Sequence, residues 1–249
     1  MKDAILLGII QGICEWLPVS SSGHLVLFQN IFNLKGAIEF DIFLHFSSLL
    51  IILVFLRRDV LKVCRALMKF EKNSYWFRMG IYTIFASLIT GIVGFFLKEY
   101  QNLFSNLKVV SFSFLITSLL LFLSKRDGKE SMTLTKALFV GFMQSIALFP
   151  GISRSGATIS TAKICNIKSE EAFRFSFLIA IPAISGAIIS EMDRIKLIEG
   201  KILAAGFFTS LILGFISIYI LKRIVIRNKL HYFGWYCLGL SIFSFFLIK

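Results

Sequence analysis

Two polar stretches of matching pattern interrupt an otherwise apolar chain, and they restrict its possible folds sharply. The first is Gln11-Gly12-Ile13-Cys14-Glu15-Trp16-Leu17-Pro18-Val19-Ser20-Ser21-Ser22-Gly23-His24. The second is Gln144-Ser145-Ile146-Ala147-Leu148-Phe149-Pro150-Gly151-Ile152-Ser153-Arg154-Ser155-Gly156-Ala157-Thr158. Each runs from a Gln through a Pro to a Ser-rich turn closed by Ser-Gly. Helix breakers and hydroxyls are costly at membrane depth unless they line a protected cavity, because no water is there to satisfy them. Two such breaks in corresponding halves point to a central site built from an internal repeat.

A membrane setting follows from the rest of the chain, which is 57% hydrophobic and 16% charged over 249 residues. Apolar runs bounded by charges cover about Phe40–Leu56, Phe77–Leu97, Val109–Leu123, Phe173–Ile189, Ile202–Leu221 and Tyr232–Ile248. These approach the roughly 20 residues that cross a bilayer. Residues 4–33 and 134–164 hold shorter apolar runs around each break, and we read each as a re-entrant helical hairpin. The expected fold is therefore an all-α integral membrane protein of one domain, with about six transmembrane helices plus two re-entrant hairpins. The alternating pattern of a transmembrane barrel is absent.

The net charge of +13 resides in short loops, which fits membrane topology rather than nucleic-acid binding. Arg57, Arg58, Lys62, Arg65, Lys69, Lys72 and Arg78 crowd one loop. Lys125, Arg126, Lys129 and Lys136 crowd another, and Lys222, Arg223, Arg227 and Lys229 a third. Placing all three inside leaves the loops around 98–108 and 191–201 outside. One hairpin plus three spans per half then inverts the second half. The charge pattern thus predicts an inverted-topology repeat, approximately 1–124 and 133–249, independently of the repeated motif. Cys14, Cys64, Cys165 and Cys237 lie far apart without metal-site spacing and are expected to be free thiols. Lys2 and the apolar run after it resemble a short signal segment, but Gln11 and Glu15 interrupt it and no small-residue cleavage site follows. We therefore expect it to be retained.

Charged groups in such a setting must face a cavity and have partners. Gln11 and Glu15 are four apart and share a helix face, and Pro18 ends that helix. Ser20, Ser21, Ser22 and Gly23 form a turn, and His24 opens a second helix whose N-terminus suits an anion. In the second copy Arg154 lies between Ser153 and Ser155, and its guanidinium fork matches phosphate oxygens. Phosphate-ester hydrolysis needs a nucleophile, a proton-transfer group and positive charge on the phosphoryl oxygens. Ser21 or a neighbouring Ser supplies the first, His24 or Glu15 the second and Arg154 the third. Attack by water without a covalent intermediate stays open. Arg174 reaches either the cavity or the inner surface, and His45 and His231 read as interfacial histidines.

The Gln11-x-x-x-Glu15 and Pro18–His24 stretch resembles the first signature of the undecaprenyl-diphosphate phosphatase family, the bacitracin-resistance type. Pro150–Thr158 resembles its second signature, and Phe40-Asp41 to His45 a weaker third block. The resemblance covers essentially the whole chain. It implies an enzyme that removes the terminal phosphate of undecaprenyl diphosphate, recycling the lipid carrier of peptidoglycan precursors and conferring bacitracin resistance. It implies a multi-pass protein of the bacterial inner membrane whose site opens to the outer face. It also implies a divalent cation, magnesium or calcium. The expected partners are the polyprenyl diphosphate lipid, the membrane and a second copy of the chain. By position, Glu15, Ser21, His24 and Arg154 match catalytic and phosphate-binding positions. Ser20, Ser22, Ser153, Ser155, Thr158 and Gln11 are the supporting phosphate-site residues. The family often has Glu where this chain has Gln11, so Glu15 carries any metal role alone or with Asp41. Phe46-Ser47-Ser48 also departs from a usual Gly-Thr pair.

Two other readings compete. A lipid-phosphate carrier could use the same broken helices and Arg154, but it needs no nucleophile. A phosphatidic-acid-type phosphatase requires a His several residues beyond the Arg, and Ser155–Cys165 contains none.

Overall fold

Apolar runs without polar alternation leave the backbone one way to satisfy itself, and the chain is helical almost throughout. A computed structural model describes residues 1–32, 37–97, 106–125, 127–191 and 200–248, with the side chains of 32, 37–39, 41, 42 and 191 also outside the described set. In order, the helices are α1 (Lys2–Cys14), α2 (Ser21–Phe32), α3 (Ala37–Phe55), α4 (Arg57–Met68), α5 (Tyr75–Leu97) and α6 (Leu107–Leu123). They continue as α7 (Leu134–Ile146), α8 (Arg154–Ile164), α9 (Ser169–Glu191), α10 (Gly200–Ile226) and α11 (His231–Phe246). Among the described residues the only strand-like pairing is an isolated bridge between Glu130 and Ile167.

Three helices are long and apolar enough to cross a bilayer: Tyr75–Leu97, Ser169–Ser190 and Gly200–Ile226. The expected spans in α3, α6 and α11 are shorter in their apolar parts; α6, with 17 residues, reaches about 26 Å at 1.5 Å per residue. The chain is therefore an all-helical protein of membrane character, and the full set of six spans goes beyond what helix length establishes. The most apolar stretch of α9 is 56% buried, against 17% for α5, so α9 is a central helix and α5 a peripheral one. Large side chains such as Phe95, Phe96, Ile189 and Phe246 are exposed. A water-facing surface rarely carries so many.

The two broken regions interlock at the centre. Helix α1 packs on α10 and α7 on α5, in each case where small residues let the backbones approach. Gly12 faces Ser210, and Gly141 faces Ala86. The turns between α1 and α2 and between α7 and α8 then touch. The Gly151 amide donates to Ser20 Oγ at 3.0 Å, and Ser155 Oγ donates to the Trp16 carbonyl at 3.0 Å. A Cβ on Gly23 would stand 2.7 Å from Gly151 Cα and from Phe114 Cζ. Gly151 itself has φ +98°, a conformation that L side chains disfavour. The meeting of the two turns therefore demands both glycines.

One end of the bundle gathers the basic segments. The Lys163 ammonium donates to Ser169 Oγ at 2.6 Å and to the Asn228 carboxamide, while Ser169 donates to Asp127 through amide and hydroxyl. Arg174 bonds Asp59 at 3.1 Å and lies over Trp76. Of its two sequence alternatives it takes the basic end, away from the cavity. All four cysteines are free thiols. Loop residues 98–105 and 192–199, which were expected outside, fall outside the described residues.

Candidate active site

The two Ser-rich turns fold as matching helix starts. Ser20 Oγ accepts the Gly23 amide at 3.3 Å, and Ser153 Oγ accepts the Gly156 amide at 3.1 Å. This is serine N-capping with a glycine three residues on. Ser21 and Arg154 consequently occupy the same place, the first position of α2 and of α8. Both helix starts face a cavity of about 200 Å³, which presents it with two positive helix ends. Ser20 holds φ +66°, a strained conformation for a serine of the kind found where function fixes the backbone.

Glu15 joins the two halves. Its Oε1 accepts from Arg154 Nη2 at 2.8 Å, and its Oε2 accepts from the Ser21 hydroxyl at 2.8 Å. Gln11 Nε2 adds a longer bond to Oε2 at 3.4 Å and meets His45 Nδ1 at 3.3 Å. Gln11 is fully buried, so a donor stands where a second carboxylate would repel Glu15. Arg154 lies over the Phe177 ring, 5.5 Å from its centroid. Its other terminal nitrogen, Nη1, is buried without a hydrogen-bond partner.

The expected site residues divide into two groups. Glu15, Ser20, Ser21, Ser22, Ser153 and Arg154 line the cavity together. Gln11 stands behind Glu15. Ser155 faces the Trp16 carbonyl, and Thr158 bonds the Arg154 carbonyl at 2.8 Å and Ser176 Oγ at 2.6 Å; both brace the turn rather than line the cavity. His24 lies off the cavity too. Its Nδ1 is 2.7 Å from the Ser20 carbonyl, and its Nε2 is 2.8 Å from the Tyr236 hydroxyl. A carbonyl accepts only, so Nδ1 carries the proton, and in the neutral ring Nε2 accepts from Tyr236.

Four participants escaped the sequence reading. His45 lines the cavity rather than an interface. Thr90 and Gln144 line it from α5 and α7, with Gln144 Nε2 donating to Thr90 Oγ1 at 3.0 Å. Tyr236 reaches His24 from α11. Gln144 carried a signal as the counterpart of Gln11 in the repeat, and His45 as the end of the weaker third block.

A divalent cation finds no ready ligand set here. Among the described residues no three His, Cys, Asp or Glu side chains cluster. Both Glu15 oxygens are taken by Arg154 and Ser21. The Asp41 side chain lies outside the described residues. The described residues do not fit a cation held by protein groups alone.

A search of protein families matches residues 4–243 to the model described as bacitracin resistance protein BacA. The chain belongs to the BacA family. Relatives named undecaprenyl-diphosphatase support this along the whole length. The protein of Thermosipho africanus is 40% identical, with 98% of each chain covered. That of Korarchaeum cryptofilum is also 40% identical over 98% of each chain. Undecaprenyl-diphosphatase 2 of Halalkalibacterium halodurans is 35% identical over 98% of this chain and 95% of its own. In this BacA chain the matched span takes in both broken regions and every cavity residue named above.

Proposed function

We infer that the chain is a membrane undecaprenyl-diphosphatase, hydrolysing undecaprenyl diphosphate to undecaprenyl phosphate and inorganic phosphate. It thereby recycles the lipid carrier and supports bacitracin resistance. The observation that carries the residue assignment is the Ser21–Glu15–Arg154 chain. A hydroxyl is aimed at a carboxylate that a guanidinium holds, and one nitrogen of that cavity-lining arginine is buried without a partner.

In this reading Arg154 Nη1 and the α2 and α8 helix starts hold the terminal phosphoryl group, whose charge grows on its outer oxygens during transfer. Glu15 takes the Ser21 proton as Oγ attacks phosphorus. The Oγ–P bond forms, the bridging P–O bond breaks, and undecaprenyl phosphate leaves. Glu15 passes the first proton to the departing lipid phosphate; water then attacks the phosphoserine and gives its proton to Glu15, which returns it to Ser21 Oγ as the Oγ–P bond breaks and phosphate is released. The distance from Ser21 Oγ to Glu15 favours Glu15 over His24 as the base. His24 instead holds the Ser20 carbonyl of the strained turn that aims Ser21. Any divalent cation has to enter with the diphosphate oxygens, and no step above is routed through one.

The same reading places α1–α2 and α7–α8 as re-entrant hairpins of inverted repeats, about 1–124 and 133–249, in the bacterial inner membrane. The basic end supports an outward-opening site. Ala183 on α9 lines the cavity, and it lies 14 residues from Ser169 at the basic end, about 21 Å along the helix. With basic loops inside, the cavity stands toward the other face.

Purified protein in detergent, given a polyprenyl diphosphate, is expected to release one phosphate per lipid. Absence of release, together with movement of the lipid across liposomes carrying the same protein, overturns the hydrolase reading in favour of a carrier.

A further inference from the structure

A lipid diphosphate has a second part to house, and the phosphate cavity has no room for it. At about 200 Å³ it holds a head group and little more. The lipid chain must leave through one wall. The serine turns close one side. The other is apolar, formed by Leu148, Ala183, Ile184 and Ala187, with Thr90 and Gln144 as its polar members.

Beside that wall lies a groove of about 670 Å³ that runs along α5, lined by Ile84, Leu88, Gly91, Ile92 and Phe96 among others, and meets α9 at Pro182. The two spaces share both helices at adjoining residues. Thr90 faces the cavity and Gly91 the groove, and Ala183 faces the cavity and Pro182 the groove. The groove floor at Gly91 is open, with nothing within 4 Å of an added Cβ.

The junction is polar and incompletely matched. Gln144 is 1% exposed, and its Oε1 has no hydrogen-bond partner. Buried polar atoms are almost always paired, and exceptions call for an explanation. Its NH₂ donates to Thr90 Oγ1 at 3.0 Å and to the Ile179 carbonyl at 3.4 Å, so the carboxamide is fixed with its oxygen as the unmatched group.

We propose that the α5–α9 groove binds the isoprenoid chain of the substrate, which leaves the phosphate cavity past the neighbouring pairs Thr90–Gly91 and Pro182–Ala183. This rests on the diphosphatase reading and extends it to the path of the lipid. The occupant is the substrate's own chain, because groove and cavity adjoin at consecutive residues on both helices.

The test compares a C55 with a C5 isoprenyl diphosphate in detergent. Gly91→Phe fills the groove from a position with space for a side chain. It is expected to raise KM for the C55 substrate about 10-fold or more, the scale of discrimination an apolar pocket provides, and to leave the C5 substrate within about 2-fold. A Gly91→Phe variant that treats both lengths as wild type does shows that ordinary membrane lipid fills the groove and overturns the proposal. A second measurement does not depend on that variant folding. A polyprenyl diphosphate carrying a photoreactive chain should label α5 and α9 peptides of the wild type, and excess unlabelled substrate, but not phospholipid, should suppress this. Labelling confined to other helices overturns the proposal. Wild-type protein releasing phosphate from neither substrate is a different failure, that of the diphosphatase reading itself.

Discussion

Replacing Arg154 by methionine keeps most of the side chain's bulk and removes its charge. The consequence falls first on Glu15, whose side chain is 8% exposed and whose Oε1 accepts from Arg154 at 2.8 Å. A buried carboxylate that loses its cation costs about 3–5 kcal/mol. In a chain of this length that corresponds to a fall in melting temperature of about 6–20 °C. Glu15→Gln leaves Arg154, 15% exposed at the cavity edge, with water in reach, so its cost is smaller, about 1–3 kcal/mol. The double variant Glu15→Gln/Arg154→Met has no stranded charge and should lose only about 1–3 kcal/mol, less than the sum of the singles. Arg154→Lys keeps the charge and most of the stability. Yet it gives up the fork that reaches carboxylate and phosphate together, so its turnover should fall about 10²–10³-fold. Tryptophan fluorescence during heating in detergent reads the stabilities through Trp16, Trp76 and Trp235. Additive losses within about 0.5 kcal/mol, or an Arg154→Met variant as stable as wild type, would refute the buried-pair reasoning.

Other consequences follow from neighbouring contacts. Gly23→Ala drives a Cβ to 2.7 Å from the Gly151 backbone and should cost about 1–3 kcal/mol, read in the same melts. His24→Asn can still donate to the Ser20 carbonyl, so it should retain far more activity than His24→Ala, with an unchanged pH profile; an altered profile would make His24 a proton-transfer group. At the basic end, burial pushes the Asp127 carboxyl up, but the Ser169 hydroxyl and amide, with Lys163, outweigh it and hold the group below its ordinary value. A lowered folded-state value means a contribution present above the unfolded value and lost as pH falls through the folded one. Asp127→Asn should therefore cost less than about 1 kcal/mol near neutrality, since the group is mostly exposed. The difference from wild type should close below about pH 4 in pH-dependent melts.

Much of the site was legible because it lies at breaks in the helices. Pro18, Pro150 and the Ser-Gly pairs mark where the chain must turn, and a turn inside an apolar chain must be satisfied by another polar segment. The four-residue spacing of Gln11 and Glu15 put them on one helix face, where they share a hydrogen bond. What stayed hidden depends on helix rotation. Helix α3 is apolar nearly all round, so nothing in its sequence tells which face turns inward and brings His45 to the cavity. His24 follows Ser21 by less than one turn, yet its ring swings to Tyr236, a residue far along the chain that reads as lipid-facing. The tie between Thr90 and Gln144 likewise depends on how closely α7 approaches α5 at Gly141 and Ala86. Nor did the hydroxyls of Ser155 and Thr158 reveal that they face the protein rather than the cavity.

The assignment of Ser21 as the nucleophile activated by Glu15 meets its most direct test in steady-state phosphate release from undecaprenyl diphosphate by Ser21→Ala, with Ser22→Ala as the neighbouring control. Ser21→Ala should lose about 10³-fold or more in kcat, with KM close to wild type because Arg154 and the helix starts still hold the phosphate, while Ser22→Ala keeps most of its rate. A Ser21→Ala enzyme turning over at a tenth of the wild-type rate or faster would contradict the account.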